Sequence, residues 1–383
     1  MKTPLRQVAL LIETSNAYAR GLLQGVVSYT REHGPWSTFL AEQGRGDVPP
    51  GWLPGWKGDG VIARIENPAI ATAVRKLRIP VVDVSAARLV PKLPWLETDD
   101  DAIARLAMQH FQERGLRHFA YCGDSRFNWS RWRGECFQKH LAATGSTCTH
   151  FPSPKGPAMD GEVAVEEIGA WLHQLPKPVG VLACYDFRGR QVLDACRRRG
   201  IPVPDSVAVV GVDNDELLCN LSTPPLSSII PNTLRTGYEA AQLLDRMMDR
   251  LPVERRGYLI KPLGIAIRQS SDLLAIDDPN VVRAVRFIRD HACEGIRVKD
   301  LLRAIPQSRR ILESRFQKYI GRTPHDEILR VQLERARSLL TGTDLTLADV
   351  AEKSGFAHTE YFSVVFKKLT GETPSQYRKL NRR

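Results

Sequence analysis

The chain has 383 residues, 43% hydrophobic and 25% charged, with a formal net charge of +11. That length accommodates two or three domains, and that balance belongs to a globular protein in water, which excludes disorder as the main state. No apolar run reaches the roughly 18–20 residues of a membrane-spanning helix, and the opening stretch Val8 to Ile12 is shorter than the about 7–15 residues of a secretory core, so a cytoplasmic protein with no membrane partner is expected.

Over the first 270 residues short β-rich runs alternate with amphipathic stretches. Strands are expected at Gln7–Ile12, Trp36–Ala41, Gly60–Ala63, Val81–Val84, His118–Cys122, Gly180–Cys184 and Val207–Val212. Helices fall between them at about Tyr18–His33, Pro68–Leu77, Asp99–Arg114, Arg131–Ala143, Glu162–Leu175, Arg188–Arg199 and Thr233–Arg250. In the first helix Leu22, Leu23, Val26 and Val27 share one face. Near-continuous apolar strands separated by helices imply parallel sheets covered on both faces. Two such units, of about 100–130 residues each, make an α/β domain of two lobes.

A polar break with a proline, Asp272–Asn280, ends the strand pattern, so the expected domains are 1–275 and 276–383. The second carries 21 Lys and Arg against 14 Asp and Glu, a net +7, which leaves +4 for the first 275 residues. A polyanionic partner for the C-terminal part is the first functional hint. That part reads as all-α, with helices at Val298–Ile305, Ser308–Ile320, His325–Leu340, Leu347–Ser354 and Thr359–Leu369. Ile311, Leu312, Arg315, Phe316 and Tyr319 form the expected buried stripe of the second. Phe316-Gln317-Lys318 to Gly321-Arg322-Thr323-Pro324 recurs as Phe366-Lys367-Lys368 to Gly371-Glu372-Thr373-Pro374, a repeat of about 50 residues. Each copy has two helices and a tight turn, the pattern of a DNA-binding helix-turn-helix unit.

Signs of catalysis are missing. There is no P-loop, no His-Glu-x-x-His, no Gly-x-Ser-x-Gly and no dinucleotide fingerprint, and Gly44-Arg45-Gly46 is a lone glycine pair. Asp99-Asp100-Asp101 follows Thr98 at a helix start, where acids cap free N–H groups. Seven dispersed cysteines suit neither a disulfide framework nor zinc. No cofactor, metal or catalytic residue is expected.

Ala351, Gly355-Phe356, Tyr361-Phe362-Ser363, Phe366-Lys367-Lys368, Gly371, Thr373-Pro374 and Tyr377-Arg378 together resemble the signature of the AraC/XylS regulators, over about 100 residues. The resemblance implies that Arg309, Arg310, Glu313 and Ser314 project from a first recognition helix, and His358, Thr359, Glu360 and Ser363 from a second, onto double-stranded DNA. Lys367 is expected on phosphate. Each of these residues is a candidate for base contact, phosphate positioning or plain exposure.

Asp186, Asp194 and the run Gly200-Ile201-Pro202 to Val212-Asp213-Asn214 resemble the LacI/GalR-type regulators, whose ligand domain is like a periplasmic sugar-binding protein. With the C-terminal domain, the whole chain resembles the xylose operon regulators. In α/β lobes ligands bind beyond the carboxyl ends of strands. Asn16, Tyr18, Arg64, Tyr185, Asp186, Asp213 and Asn214 stand there, with Trp129 as a further candidate and Arg133 on the helix after His118–Cys122, and they offer the donors, acceptors and aromatic faces that a polyol needs. Ala19 and Arg64 stand where those regulators often carry acids, which leaves the sugar open. The expectation is a sugar-responsive regulator, taking D-xylose or a related pentose and working as a homodimer; a regulator of another sugar, a transport binding protein and a sugar enzyme are the alternatives.

Overall fold

The structure, a computed structural model, describes residues 5–44, 47–153, 161–254, 256–272 and 278–381. The chain divides into two compact units, Met1–Leu273 and Leu274–Arg383. Residues 273–277, most of the polar break with its expected boundary, lie outside the described residues, as do Arg45 and Gly46 of the glycine pair.

In the first unit the apolar runs become strands buried on both faces, as parallel sheets require. One lobe starts with β1 (Gln7–Leu11), α1 (Ala17–His33), β2 (Ser37–Leu40), β3 (Gly60–Ala63), α2 (Pro68–Arg75), β4 (Val81–Asp83) and β5 (Trp95–Thr98). The chain then crosses to a second sheet through α3 (Asp100–Gln112), β6 (His118–Cys122), α4 (Asn128–Ala143), β7 (Cys148–His150), α5 (Gly161–Gln174), β8 (Val179–Ala183), α6 (Asp186–Arg198), β9 (Val207–Val212), α7 (Glu216–Leu221) and β10 (Ser227–Ile230). It returns through α8 (Thr233–Met248) and β11 (Gly257–Ile260), and crosses a third time into β12 (Gly264–Ala266). The strand orders are β11-β5-β4-β3-β1-β2 and β12-β10-β9-β8-β6-β7. Every pair is parallel except β10 with β12, which corrects the all-parallel expectation.

All the expected strands form. The strands not foreseen, β5, β7, β10, β11 and β12, are three or four residues long and carry Glu, Ser, Thr or Gly, so no apolar run announces them. Helix α4 starts at Asn128, three residues earlier than expected, and buries Trp129 and Arg133 on one face. Helices α1 and α8 approach so closely that a Cβ on Gly25 would lie 2.1 Å from the Leu234 carbonyl oxygen, and one on Gly237 2.0 Å from that of Leu22. Only glycine leaves room for that contact.

The second unit is helical: α9 (Pro279–His291), α10 (Val298–Ala304), α11 (Arg309–Ile320), α12 (Pro324–Gly342), α13 (Leu347–Lys353), α14 (Thr359–Thr370) and α15 (Pro374–Asn381). Ser308 caps α11, and Thr323 with Asp326 forms a capping box on α12 that Thr346 with Asp349 repeats on α13. Gly321 and Gly371 close α11 and α14 in the left-handed region, at φ of 72° and 84°. Two cores result. Leu312 and Phe316 join α9, α10 and the first half of α12 in one, while Phe362 and Phe366 join α13 and the second half of α12 in the other. Ile311 is 47% exposed and leaves the expected buried stripe. At helical spacing Leu312 and Phe316 face the core, and Ile311 turns outward.

Two buried groups make stability depend on pH. His110, on α3, sits 2.7 Å from the Ser271 hydroxyl, and burial lowers its pKa to about 3. An unfolded imidazole titrates near 6.5, so protons bind the unfolded chain preferentially between about 3 and 6.5, and this contribution to stability is lost as pH falls through that window. Asp83 accepts the Ser85 N–H at 2.8 Å while its second oxygen has no hydrogen-bond partner, and burial raises its pKa to about 7. Here the folded form holds the extra proton, so stability falls as pH rises from about 4 to 7. Asp83→Asn removes that cost. Its stability margin over the native chain should widen by on the order of 2–4 kcal/mol between pH 4 and pH 8 in thermal unfolding, and a margin independent of pH would contradict the assignment.

Candidate functional site

Where strand order reverses, loops on either side of the switch diverge and leave a crevice beyond the strand ends. In the first sheet the reversal lies between β1 and β3, and in the second between β6 and β8. A cavity of about 40 Å³ lies within the first unit, lined by Tyr18, Arg64, Val84, Ala86 and Thr98 from one lobe and Asp100, Trp129, Arg133 and Asp213 from the other.

Two buried guanidinium groups dominate the cavity. Arg64 is 7% exposed, forms ion pairs with Glu13 and Glu66, and lies 5.1 Å from the centre of the Tyr18 ring. Its Nε has no hydrogen-bond partner. Arg133 donates from Nε to Asp100 at 2.7 Å and from Nη1 to the Cys184 carbonyl oxygen, and lies 5.2 Å from the centre of the Trp129 ring. Burial works against the charge of both arginines, yet their carboxylate neighbours, Glu13 and Glu66 at Arg64 and Asp100 at Arg133, raise both pKa values above the ordinary range. The cavity is therefore charged at every physiological pH. Burial pushes the Asp100 carboxyl up, against the pull of Arg133, and pushes the Tyr18 phenol up, against Arg64 and its 3.2 Å contact to the Thr98 hydroxyl.

Five of the nine expected sugar contacts, Tyr18, Arg64, Trp129, Arg133 and Asp213, thus line one cavity. The other four stand behind it. Asn16 caps α1 through the Ala19 N–H and donates to Glu13 at 3.1 Å. Tyr185 precedes α6 and meets Trp129 edge-on, 5.8 Å between ring centres. Asp186 is 1% exposed and accepts from Ser228 and from the Asp215 N–H, beneath the loop that carries Asp213. Asn214 accepts from Arg268 at 2.9 Å. Asp213 and Asn214 hold φ of 111° and 47°, strained values for residues other than glycine, and this turn aims Asp213 at the cavity. Ala19 is fully buried and outside the lining, whereas Arg64 is part of it.

Asp100, Thr98, Glu13 and Glu66 were not foreseen. Asp99 does cap α3, by accepting from the Ala102 N–H at 3.1 Å, but its neighbour Asp100 turns into the cleft. The signal was three acids in a row, more than one cap uses. Outside the cavity, Arg88 of the first lobe pairs with Glu97 and lies 4.2 Å from the Trp95 ring and 4.5 Å from that of Trp132, on α4 of the second lobe.

In the second unit α11 and α14 each follow a short helix and a turn. Arg310 and Ser314 are exposed on α11, while Arg309 is paired to Glu313 at 2.8 Å. On α14 Glu360 and Lys367 are exposed, Thr359 and Ser363 are half-buried, and His358 is the exposed N-cap. The outward face also holds Tyr361 and Val364, 50% and 67% exposed. Sequence reading passed over these two because apolar residues at helical spacing suggest core. Among the described residues no group of His, Cys, Asp or Glu has a metal-binding arrangement.

Comparison with known proteins agrees with both halves. Residues 7–101 match the XylR N-terminal domain, 108–271 a periplasmic binding protein-like domain and 301–380 a helix-turn-helix domain. The xylose operon regulatory protein of Escherichia coli (strain K12) is 33% identical over 389 aligned positions, covering 100% of this chain and 99% of the relative. That of Haemophilus influenzae is 30% identical, covering 97% and 98%. A solved structure of the xylose-binding transcription activator XylR superposes with a TM-score of 0.80 at 32% identity, over the full length of both chains. The chain belongs to the xylose operon regulator family. It is a sugar-responsive transcription regulator with an AraC-type DNA-binding domain, and not an enzyme.

In this xylose-regulator-type cleft the Arg133–Asp100 pair should be a structural requirement. Asp100→Leu leaves a guanidinium buried without its carboxylate, a loss of about 3–5 kcal/mol. Adding Arg133→Met should recover most of it in chemical denaturation. A single substitution as stable as the native chain would show that the pair opens to solvent.

Proposed function

We propose that the chain binds a neutral pentose, D-xylose or a close relative, between the lobes of its first domain and activates transcription of sugar-catabolic genes in the cytoplasm as a homodimer. The observation that carries this reading is the convergence of Arg133, Asp213, Trp129, Tyr18 and Arg64 on one cavity in a chain similar end to end to xylose operon regulators. A pentose presents hydroxyls at its rim and C–H patches on its faces. Arg133 and Arg64 supply donors, Asp213 and Asp100 acceptors, and Trp129 and Tyr18 aromatic faces. A phosphorylated or acidic sugar suits the site less well, because Glu13, Glu66 and Asp100 already balance the two arginines. Arg64 belongs to the lining, so its departure from the acid common in these regulators bears on which pentose fits.

We infer the domains to be a sensor at 1–275 and a DNA reader at 276–383. Two helix-turn-helix units in one chain reach two major-groove segments about 34 Å, or one helical turn, apart. Arg310 is the base-reading candidate of α11, with Arg309, Glu313 and Ser314 beside it, and His358, Thr359, Glu360 and Ser363 are its counterparts on α14. Lys367 suits phosphate.

Calorimetry with a panel of pentoses tests the sensor. Charge-assisted hydrogen bonds to hydroxyls contribute about 1.5–3 kcal/mol, so Arg133→Ala and Asp213→Ala should each lose roughly 10–100-fold in affinity. Unchanged affinity in both removes this pocket. On DNA, Arg310→Ala should cost about 1–3 kcal/mol and relax preference at one or two base pairs, while Lys367→Ala should weaken all sequences alike and flatten the salt slope. Uniform weakening in Arg310→Ala would move that residue to phosphate.

A further inference from the structure

The two helix-turn-helix units share one helix, α12, yet their cores are separate. Ile328 and Val331 of α12 pack into the first core, and Leu333, Ala336, Leu339 and Leu340 into the second. Between these sets lies Gln332, 4% exposed. A buried amide on a helix flanked by apolar neighbours costs stability unless its polar atoms are used. Its Nε2 donates to two backbone carbonyls, that of Ala292 at 2.8 Å and that of Gly355 at 3.1 Å. Ala292 ends α9 in the first half, and Gly355 is the turn residue between α13 and α14 in the second. One side chain thus ties a turn of each half to the helix they share.

The fit around this link is close. Gly355 has φ of +83°, and a Cβ there would lie 2.5 Å from the Ala292 carbonyl oxygen and 2.8 Å from Gln332 Nε2. The other ties we find each act within one half. Glu327 is buried against Arg322 and Arg330, and Arg378 donates to the Leu340 and Leu345 carbonyls. Neither relates one turn to the other.

We propose that Gln332 is a positioning residue for DNA reading: it fixes the distance and phase between α11 and α14, so that the regulator accepts one spacing of its two half-sites. The proposal rests on the two-groove reading above. A base pair added between half-sites rotates the second by about 35° around the duplex and moves it by about 3.4 Å. A rigid reader loses contacts in one groove when that happens, and a hinged one follows.

The test uses the full chain and sites obtained by binding selection, with one base pair inserted or deleted between the half-sites. The native chain should lose at least about tenfold in affinity for either change, as each costs a reader one groove's contacts. In Gln332→Met, which keeps length and apolar bulk but donates nothing, the loss should shrink to under about threefold. Gly355→Ala pushes the two turns apart with Gln332 intact and should broaden the profile as Gln332→Met does, which keeps the proposal testable if the methionine variant fails to fold. Leu333→Ala loosens the second core without touching the link and should leave the spacing preference unchanged. A native chain indifferent to spacing would overturn the two-groove reading. A folded Gln332→Met or Gly355→Ala as strict as the native chain, or a Leu333→Ala equally permissive, would overturn the role of Gln332.

Discussion

Two arginines buried in the cleft of the first domain set the terms for everything around them. Removing a guanidinium from water costs several kcal/mol, which carboxylates offset only at short range and with good geometry. Arg64 is met by Glu13 and Glu66, and Arg133 by Asp100. Each partner is set in place by an element end. Glu13 follows β1, Glu66 follows β3, and Asp100 opens α3 at the first crossing between the sheets. The pairing of β1 with β3 brings Glu13 and Glu66 to Arg64, and the packing of α3 on α4 brings Asp100 to Arg133, so each lobe balances its own arginine.

The same constraint explains which parts of the molecule the sequence disclosed. Continuous apolar runs such as Val207–Val212 are legible because both of their faces are buried, and helices such as α1 because their apolar face repeats at 3.6 residues. Three of the four edge strands, β7, β11 and β12, escape, as do β5 and β10, which lead into crossings. Ser227–Ile230 opens with two serines because Ser227 bonds to Arg268 and Ser228 to Asp186, which makes a buried strand look like a loop. Arg133 and Asp213 were legible through family resemblance and strand-end position. Asp100 was hidden by a capping motif that its neighbour Asp99 satisfies. Asn16 and Asp186 stand at strand ends too, but outside the cavity lining: Asn16 accepts from the Ala19 N–H, and Asp186 from the Asp215 N–H and the Ser228 hydroxyl.

In the DNA-binding domain the 50-residue repeat carried its meaning in full, because Gly321 and Gly371, with Thr323 and Thr373 beyond them, are backbone requirements of a helix end and the next helix start. What the repeat could not disclose is how its halves are joined. Gln332 falls between two apolar sets on α12, and nothing in its spacing separates it from an exposed polar residue. Only the backbone carbonyls of Ala292 and Gly355, forty and twenty-three residues away, give it a role.

The closed cleft and the Arg88 contact bear on each other. The cleft is lined from both lobes, so a sugar seated in it touches both at once. Arg88 is clamped between Trp95 of one lobe and Trp132 of the other, and its backbone sits at φ of 52°, in the left-handed region. Cation–π contacts of this kind contribute about 0.5–2 kcal/mol each, which is comparable with the strain of that backbone, about 1–3 kcal/mol. Asn128 on α4 of the second lobe adds a hydrogen bond to the Ala87 carbonyl oxygen at 3.3 Å, so the residues beside Arg88 tie the lobes at two points. A ligand shifts a conformational equilibrium only by its differential affinity for the two states, so a small neutral sugar can act on this cleft only through contacts that both lobes make with it together.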